Sequence, residues 1–438
     1  MAEARAPHGI RKVLSHRAHE PRRPQLDALV RGASSEKSKR DRIRTWVEQR
    51  EGKANVLRAG AAPLDNVEAP LVQDALRIAE QVDRPVEDVV DTVDEQQDLI
   101  ELDARLATSY PDSYAGMVMS TTDEPAQVVF DDSVPAQALD EVAPASADVD
   151  VSAGDALPQE DVQGWLDRIQ GSLRPVVGLA QVSFESETQK FRIVVREDAA
   201  ASDAEMEVAI GTLPEGASLA PIERTLTDHE DDAYEDHTIR GGGTLVASGC
   251  TAGFVVRHRV TGEKFLSTAG HCPVLSGASQ DVYQARGVDD WTRTTGMYYG
   301  NRVYFGLITP DFSYLSIPET RDPYPSTYIT YTDKREVGAY YRHRLPKGTW
   351  VCHFGRTTEH SCSTIDEPSI NLGHYGGSGL VAVSTNVSAP GDSGGPWWRS
   401  ASAVGVHSGK VSNRDNRSVY SPVHMMAEFG NFQPWTTN

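Results

Sequence analysis

The sequence predicts two unlike parts, an α+β leader followed by an all-β carboxy-terminal domain. Three observations carry this. From about residue 241 onward, short apolar runs alternate with Gly, Pro, Asn and Asp turns and show little helical period. Between about 70 and 107, apolar residues instead recur at helical spacing. Charge divides at the same place. From Arg240 onward there are 18 basic and 15 acidic side chains, a net of +3, so the total of −21 leaves −24 on the preceding part. An asymmetry of this size marks separate segments. At 438 residues the chain is long enough for two or three domains.

Residues 1–60 are polar and rich in Arg and Lys, and read as a disordered segment with one short helix near Asp41 to Gln49. Basic charge could serve a nucleic-acid arm. Interleaved Asp and Glu and the scarcity of aromatics favour a solvated tail. Residues 61–225 read as an α+β module in two small subdomains. Val72, Ala75, Leu76 and Ala79 mark a first helix. Val86, Val89, Val90 and Val93 mark a second, after Pro85, and Leu99, Leu102 and Leu106 a third helical face. Met117-Val118-Met119 and Val128-Val129-Phe130 read as short strands. Residues 131–158, rich in Asp, Ala, Pro and Ser, read as a linker. Beyond it come an amphipathic helix from Asp161 to Leu173 and strands over Val176 to Phe184 and Lys190 to Val195. Residues 226–240 form an acidic linker of the kind that proteases reach, with a cut expected between about Asp228 and Arg240. Residues 241–438 make the all-β domain, with a weak helix near Pro422 to Glu428.

All four cysteines, Cys250, Cys272, Cys352 and Cys362, lie in this last part. An even number predicts disulfides and an oxidising compartment, and sequence alone permits three pairings. Metal binding is the other use for four cysteines, but no Cys-x-x-Cys pair is present. No stretch approaches the length of a membrane helix. No apolar run follows the basic residues of the first forty positions, so no secretory signal is visible, although the cysteines favour export.

Chemistry concentrates in three runs. In Gly391-Asp392-Ser393-Gly394-Gly395-Pro396, glycines let the backbone bend sharply around a serine. A serine hydroxyl becomes a nucleophile when a base takes its proton and N–H groups receive the oxyanion. His271 stands in Ser267-Thr268-Ala269-Gly270-His271-Cys272, after the apolar end of a strand. Asp311 opens Asp311-Phe312-Ser313-Tyr314-Leu315-Ser316-Ile317. Each residue alone would more often be structural or solvated. Together, in the order His, Asp, Ser, they point to a catalytic triad.

These runs, with Cys250-Thr251-Ala252-Gly253-Phe254, the segment from Cys352 through Gly355-Arg356-Thr357-Thr358 to Cys362, and Gly405-Val406-His407-Ser408-Gly409, resemble the chymotrypsin-like serine proteases. Within them the chain looks most like the secreted actinobacterial branch that includes streptogrisins and alpha-lytic protease. The resemblance covers a little under half the chain, and more weakly extends to the pro-regions of that branch through Tyr110-Pro111-Asp112-Ser113-Tyr114-Ala115-Gly116. It implies two six-stranded antiparallel β-barrels with the active site between them, the second beginning near 335. It selects Cys250 with Cys272 and Cys352 with Cys362 as the disulfides. It implies a secreted serine endopeptidase acting on protein or peptide substrates as a monomer, with no cofactor, metal, nucleic acid or membrane partner. The leader would be a pro-region, an intramolecular inhibitor and folding chaperone.

By the same resemblance Ser393 is the nucleophile, His271 the base and Asp311 its orienting partner. The N–H groups of Gly391 and Ser393 form the oxyanion hole. Ser408 touches the aspartate and opens a substrate-binding strand of His407, Ser408, Gly409 and Lys410. Asp392 needs a buried partner, and His353 stands where the branch usually has Arg, so a pH-sensitive ion pair is expected there. His407 and Lys410 raise a preference for substrate glutamate, with Glu230 and Glu235 in the linker as self-cleavage sites. Two other readings compete: a catalytically silent barrel used for binding, and a regulatory protease that keeps its amino-terminal domain.

Overall fold

The computed structural model describes residues 12–14, 23–52, 55–120, 125–145, 147–154, 156–177, 180–185, 188–195, 201–214, 217–224, 238–276, 280–285, 297–298, 309–319, 321–330, 332–372, 377–411 and 417–437. The linker over 226–237, with Glu230 and Glu235, lies outside them.

The leader begins with a short strand, Lys12–Leu14, and two helices rather than a solvated tail. Pro24–Val30 and Glu36–Glu48 are α-helical. Ser35 caps the second, its Oγ accepting from Ser38 N at 3.2 Å. Ile43, Trp46 and Val47 fall on one face and are buried with the helix Ala69–Val82. The interleaved charges that read as solvation make cross-helix pairs instead. Arg23 bonds Asp91 at 2.9 Å and Asp94 at 2.5 Å, and Arg44 reaches Glu80. Three apolar residues among so many charges are a weak signal until their partner helix is known.

The second and third helical faces join into one helix, Val86–Ser109, because no Gly or Pro interrupts that run. Strands Tyr114–Val118 and Ala126–Asp131 pair antiparallel. The segment read as a linker holds the helix Ala136–Val142 and the strand Val149–Gly154, which runs parallel to Ala126–Asp131 in the register Val128↔Val151. A parallel neighbour requires a crossover, and this short helix supplies it. Asp103 is buried beneath this sheet, accepting from Tyr114 Oη at 2.7 Å. The second leader unit is the helix Gln159–Val177, the hairpin Ala180–Glu185 with Lys190–Val195, and a helix, Asp203–Ile210, started by a Ser202/Glu205 capping box.

In the carboxy-terminal half, Val255–His258 lies between Lys264–Thr268 and Phe432–Pro434, and Lys264–Thr268 continues to Ser313–Ser316. Six further strands pair in turn: Trp350–Gly355, Pro396–Arg399, Ser402–Val411, Arg417–Pro422, Gly377–Val383 and Glu359–Leu372. The last also pairs with the first, so the ring closes. Its longest strand extends outward to pair with the leader strand Ala180–Glu185. The disulfides are Cys250–Cys272 and Cys352–Cys362. The helical turn near the end is a short 3-10 segment, Val423–Met426. No helix among the described residues is long and apolar enough to cross a membrane.

Burial pushes the Asp103 carboxyl up to about 7, only partly opposed by the Tyr114 hydrogen bond. A folded-state value above the unfolded one, about 3.9, means that folding here is favoured in acid and weakened as pH rises toward 7. Asp103→Asn removes that dependence. Amide exchange over residues 86–109 should slow at pH 8 in the variant relative to wild type and change little at pH 4.

Candidate active site

The antiparallel register Thr268↔Ser313 places the turn carrying His271 opposite Asp311, just beyond the paired ladder. Asp311 is fully buried. Its Oδ1 accepts from the His271 backbone N–H at 2.8 Å, and its Oδ2 lies 2.7 Å from His271 Nδ1. A carboxylate can only accept, so Nδ1 carries the hydrogen and Nε2 is left as an acceptor. Ser408 Oγ donates to the same Oδ2 at 2.6 Å, and the Asp311 N–H donates to Ser421 Oγ at 3.0 Å. Ser421 carries no motif and was not legible in sequence.

Ser408 reaches Asp311 through an irregularity in its strand. His407 pairs with Tyr420 and Gly409 with Val419, which leaves Ser408 as an extra residue. A bulge of this kind re-aims a side chain that regular alternation would direct elsewhere. Gly409 follows at φ +154°, and Lys410 pairs with Ser418 and is half-buried.

The serine run is held from several sides. Gly391 and Gly394 take φ +92° and +90°, which suit glycine. A Cβ on Gly394 would overlap the Thr268 hydroxyl and the Thr251 carbonyl. The nucleophile run therefore lies directly against the strand and turn that carry His271. Thr251 N donates to the Ser393 carbonyl at 2.7 Å, and Thr251 Oγ1 donates to the Gly391 carbonyl at 2.7 Å. Ser393 is half-buried. Gly394 N donates to the His407 carbonyl and His407 N to the Gly395 carbonyl, each at 2.7 Å.

Asp392 does not take His353 as its partner. Its Oδ1 accepts from Thr357 N at 2.8 Å; its Oδ2 accepts from Thr358 Oγ1 at 2.6 Å and from Ala389 N at 2.8 Å. With Thr358 N also donating to Oδ1 at 3.3 Å, four hydrogen bonds satisfy a buried carboxylate without a cation. His353 Nε2 instead donates to the Val387 carbonyl at 2.6 Å. Its ring stacks on Trp397 at 4.6 Å and lies 5.7 Å from the ring of His407. Burial drives His353 below its ordinary value, against the opposing pull of Asp392 and the Val387 carbonyl. His407 Nδ1 accepts from Trp397 Nε1 at 3.3 Å, so its hydrogen sits on Nε2. Burial, reinforced by His353 and His271, holds His407 well below the usual range and therefore neutral.

Two clusters bring His and Cys together, Cys250 with His271 and Cys272, and Cys352 with His360 and Cys362. In both the cysteines are joined as disulfides, whose sulfurs are not thiolate ligands.

No protein-family model and no curated protein matches the chain. Solved structures do. One is a glutamic acid specific serine protease that utilises a histidine triad in substrate binding, 20% identical, TM-score 0.37, covering 45% of this chain and 100% of that one. The chymotrypsin of Cellulomonas bogoriensis is 22% identical, TM-score 0.36, covering 46% and 100%. Nocardiopsis protease is 23% identical, TM-score 0.37, covering 45% and 100%. The likeness is to chymotrypsin-like serine proteases and spans a little under half of this chain.

Burial lowers His353, His360 and His407 together. Below about pH 6.5 the unfolded chain gains protons at these sites that the folded chain does not take up. These sites therefore lose stability as pH drops from 7 to 5, opposite in sign to Asp103. Urea midpoints should fall further over that range in wild type than in His353→Gln, with the Asp103 contribution common to both.

Proposed function

We propose that the chain is a serine endopeptidase made as a precursor, with Ser393, His271 and Asp311 as its triad. The observation that carries this is the doubly bonded Asp311–His271 pair, which leaves Nε2 basic while the Ser393 run packs against the same turn. Ser393 Oγ attacks the peptide carbonyl as its proton passes to His271 Nε2. Asp311 holds the tautomer and stabilises the imidazolium. Collapse of the tetrahedral intermediate breaks the C–N bond, and the amine leaves with that proton. Water then hydrolyses the acyl-enzyme by the same route. The N–H groups of Gly391 and Ser393 would receive the oxyanion, at about 3–4 kcal/mol for one such donor.

The leader is the pro-region in this reading, an inhibitor and folding aid in a secreted protein. The cut falls before residue 238, because Ile239 and Arg240 are buried in a strand parallel to Pro323–Tyr328. A second reading concerns substrate choice. The Nε2–H of a neutral His407 is a donor suited to a glutamate side chain, with Lys410 two strand positions beyond the bulge adding positive charge. A silent barrel is disfavoured, since the three polar groups and their supports are all retained.

Wild type should be found cut between 225 and 238 while Ser393→Ala stays whole, as intact mass will show. A fluorophosphonate should label wild type and not the variant. Peptide reporters cleaved at Glu should outpace those cleaved at Phe or Lys, and equal rates would remove the glutamate preference. An unlabelled, uncut wild type would remove the protease reading itself.

A further inference from the structure

The two leader units are attached to the carboxy-terminal half in different ways. The second, residues 157–222, has a hydrophobic core made entirely of its own side chains. It meets the other half along one strand edge, at Ile370↔Ser183 and Asn371↔Val182. Two polar contacts support that edge, Asn371 to Asp167 at 2.9 Å and Arg192 to Glu367 at 3.3 Å.

The first unit, residues 23–154, has cores that run without a break into the carboxy-terminal half. Its helices share one cluster with Tyr328, Ile329, Cys352, Phe354, Cys362 and Trp398. Its sheet shares another with Val351, Ile365, Val381, Trp397, Val404 and Tyr420. A charged pair is sealed between them. Asp74 and Arg335 are 3% and 1% exposed and 2.8 Å apart. Asp74 also accepts from Trp398 Nε1 at 3.0 Å and from Ser400 N at 2.7 Å. Two glutamines act as substitute strand edges. Gln81 takes both the N–H (3.0 Å) and the carbonyl (2.6 Å) of Cys362. Gln96 bonds the Gly348 carbonyl and the Trp350 N–H, each at 3.0 Å. Strand Val56–Leu57 adds a parallel edge to Lys334–Glu336.

Removing this unit would take Asp74 from Arg335 and expose two tryptophans and a disulfide to water. A large exposed apolar patch is unusual on a free domain. Interfaces between separable domains are smaller and more polar than a shared core. From this we infer that residues 23–154 are a permanent subunit of the processed molecule, and that only the second leader unit is detachable. The inference deepens the precursor reading, because it divides the leader into a retained part and a removable part.

The test cuts the chain externally, so it does not depend on self-cleavage. Recognition sites for an unrelated site-specific protease are placed at position 155 and within 225–237 of full-length Ser393→Ala. The folded protein is cut at both, then diluted and separated by native size exclusion with mass detection. The piece ending before 155 should elute with residues 238–438 and separate only in denaturant. Gln81→Ala with Gln96→Ala, which leaves the buried ion pair intact, should lower the concentration of denaturant needed. Elution of the amino-terminal piece alone, without denaturant, would overturn the inference. So would a double variant that releases it no more easily than the parent. Fluorophosphonate labelling of uncut wild type separately reports whether the protease reading holds.

Discussion

The candidate site depends on one residue, Thr251. Its N–H holds the Ser393 carbonyl, its hydroxyl holds the Gly391 carbonyl, and its own carbonyl accepts from Thr268 Oγ1 at 2.9 Å. Its neighbour Cys250 is joined to Cys272, next to His271. One strand end thus binds the nucleophile run and the histidine turn at the same time. Small glycines let those segments approach within backbone contact. A Cβ on Gly253 would meet Ser267 Oγ at 2.5 Å and the Gly394 carbonyl at 2.9 Å. A functional site has to be held to fractions of an ångström, and here two threonine hydroxyls and a backbone N–H hold the runs together.

How much of this could be read beforehand follows from where the information lies. His271, Asp311 and Ser393 stand in short runs whose neighbours are themselves unusual, so the runs identify each other. The supports do not. Thr358 and Ser421 are ordinary hydroxyl residues, and only the fold shows that they meet Asp392 and Asp311. The expected His353–Asp392 pair fails for a chemical reason. Backbone N–H groups and a threonine already satisfy that carboxylate, and no sequence pattern reveals an N–H group's direction. His353 then does something the sequence did not suggest, lying with Trp397 behind His407.

In the leader, strongly periodic helices were legible and weakly periodic ones only in part: the helix expected near Asp41 to Gln49 runs over Glu36–Glu48. The run from Val72 to Ala79 announces its buried face. The helix Glu36–Glu48 does not, because its buried face is three residues among many charges. Contacts between the halves were wholly invisible. Gln81 and Gln96 each meet a partner more than two hundred positions away, as Asp74 does with Arg335. The net charge of the leader also misleads. Its first unit is attached by shared apolar clusters, one sealed carboxylate and two neutral amides rather than by its acidic surplus.

The extra residue at Ser408 has a wider meaning. In a regular strand, neighbouring residues face opposite sides, so a chain can offer consecutive side chains to only one assignment of inside and outside. The irregularity between His407 and Gly409 breaks that parity. It lets His407 join the aromatic stack with Trp397 while the next residue turns to the Asp311 carboxylate. Residues 407 and 408 are therefore adjacent in sequence yet answer to different neighbours, an indole on one side and a buried carboxylate on the other. One extra residue lets a single strand serve two environments that regular alternation could not combine.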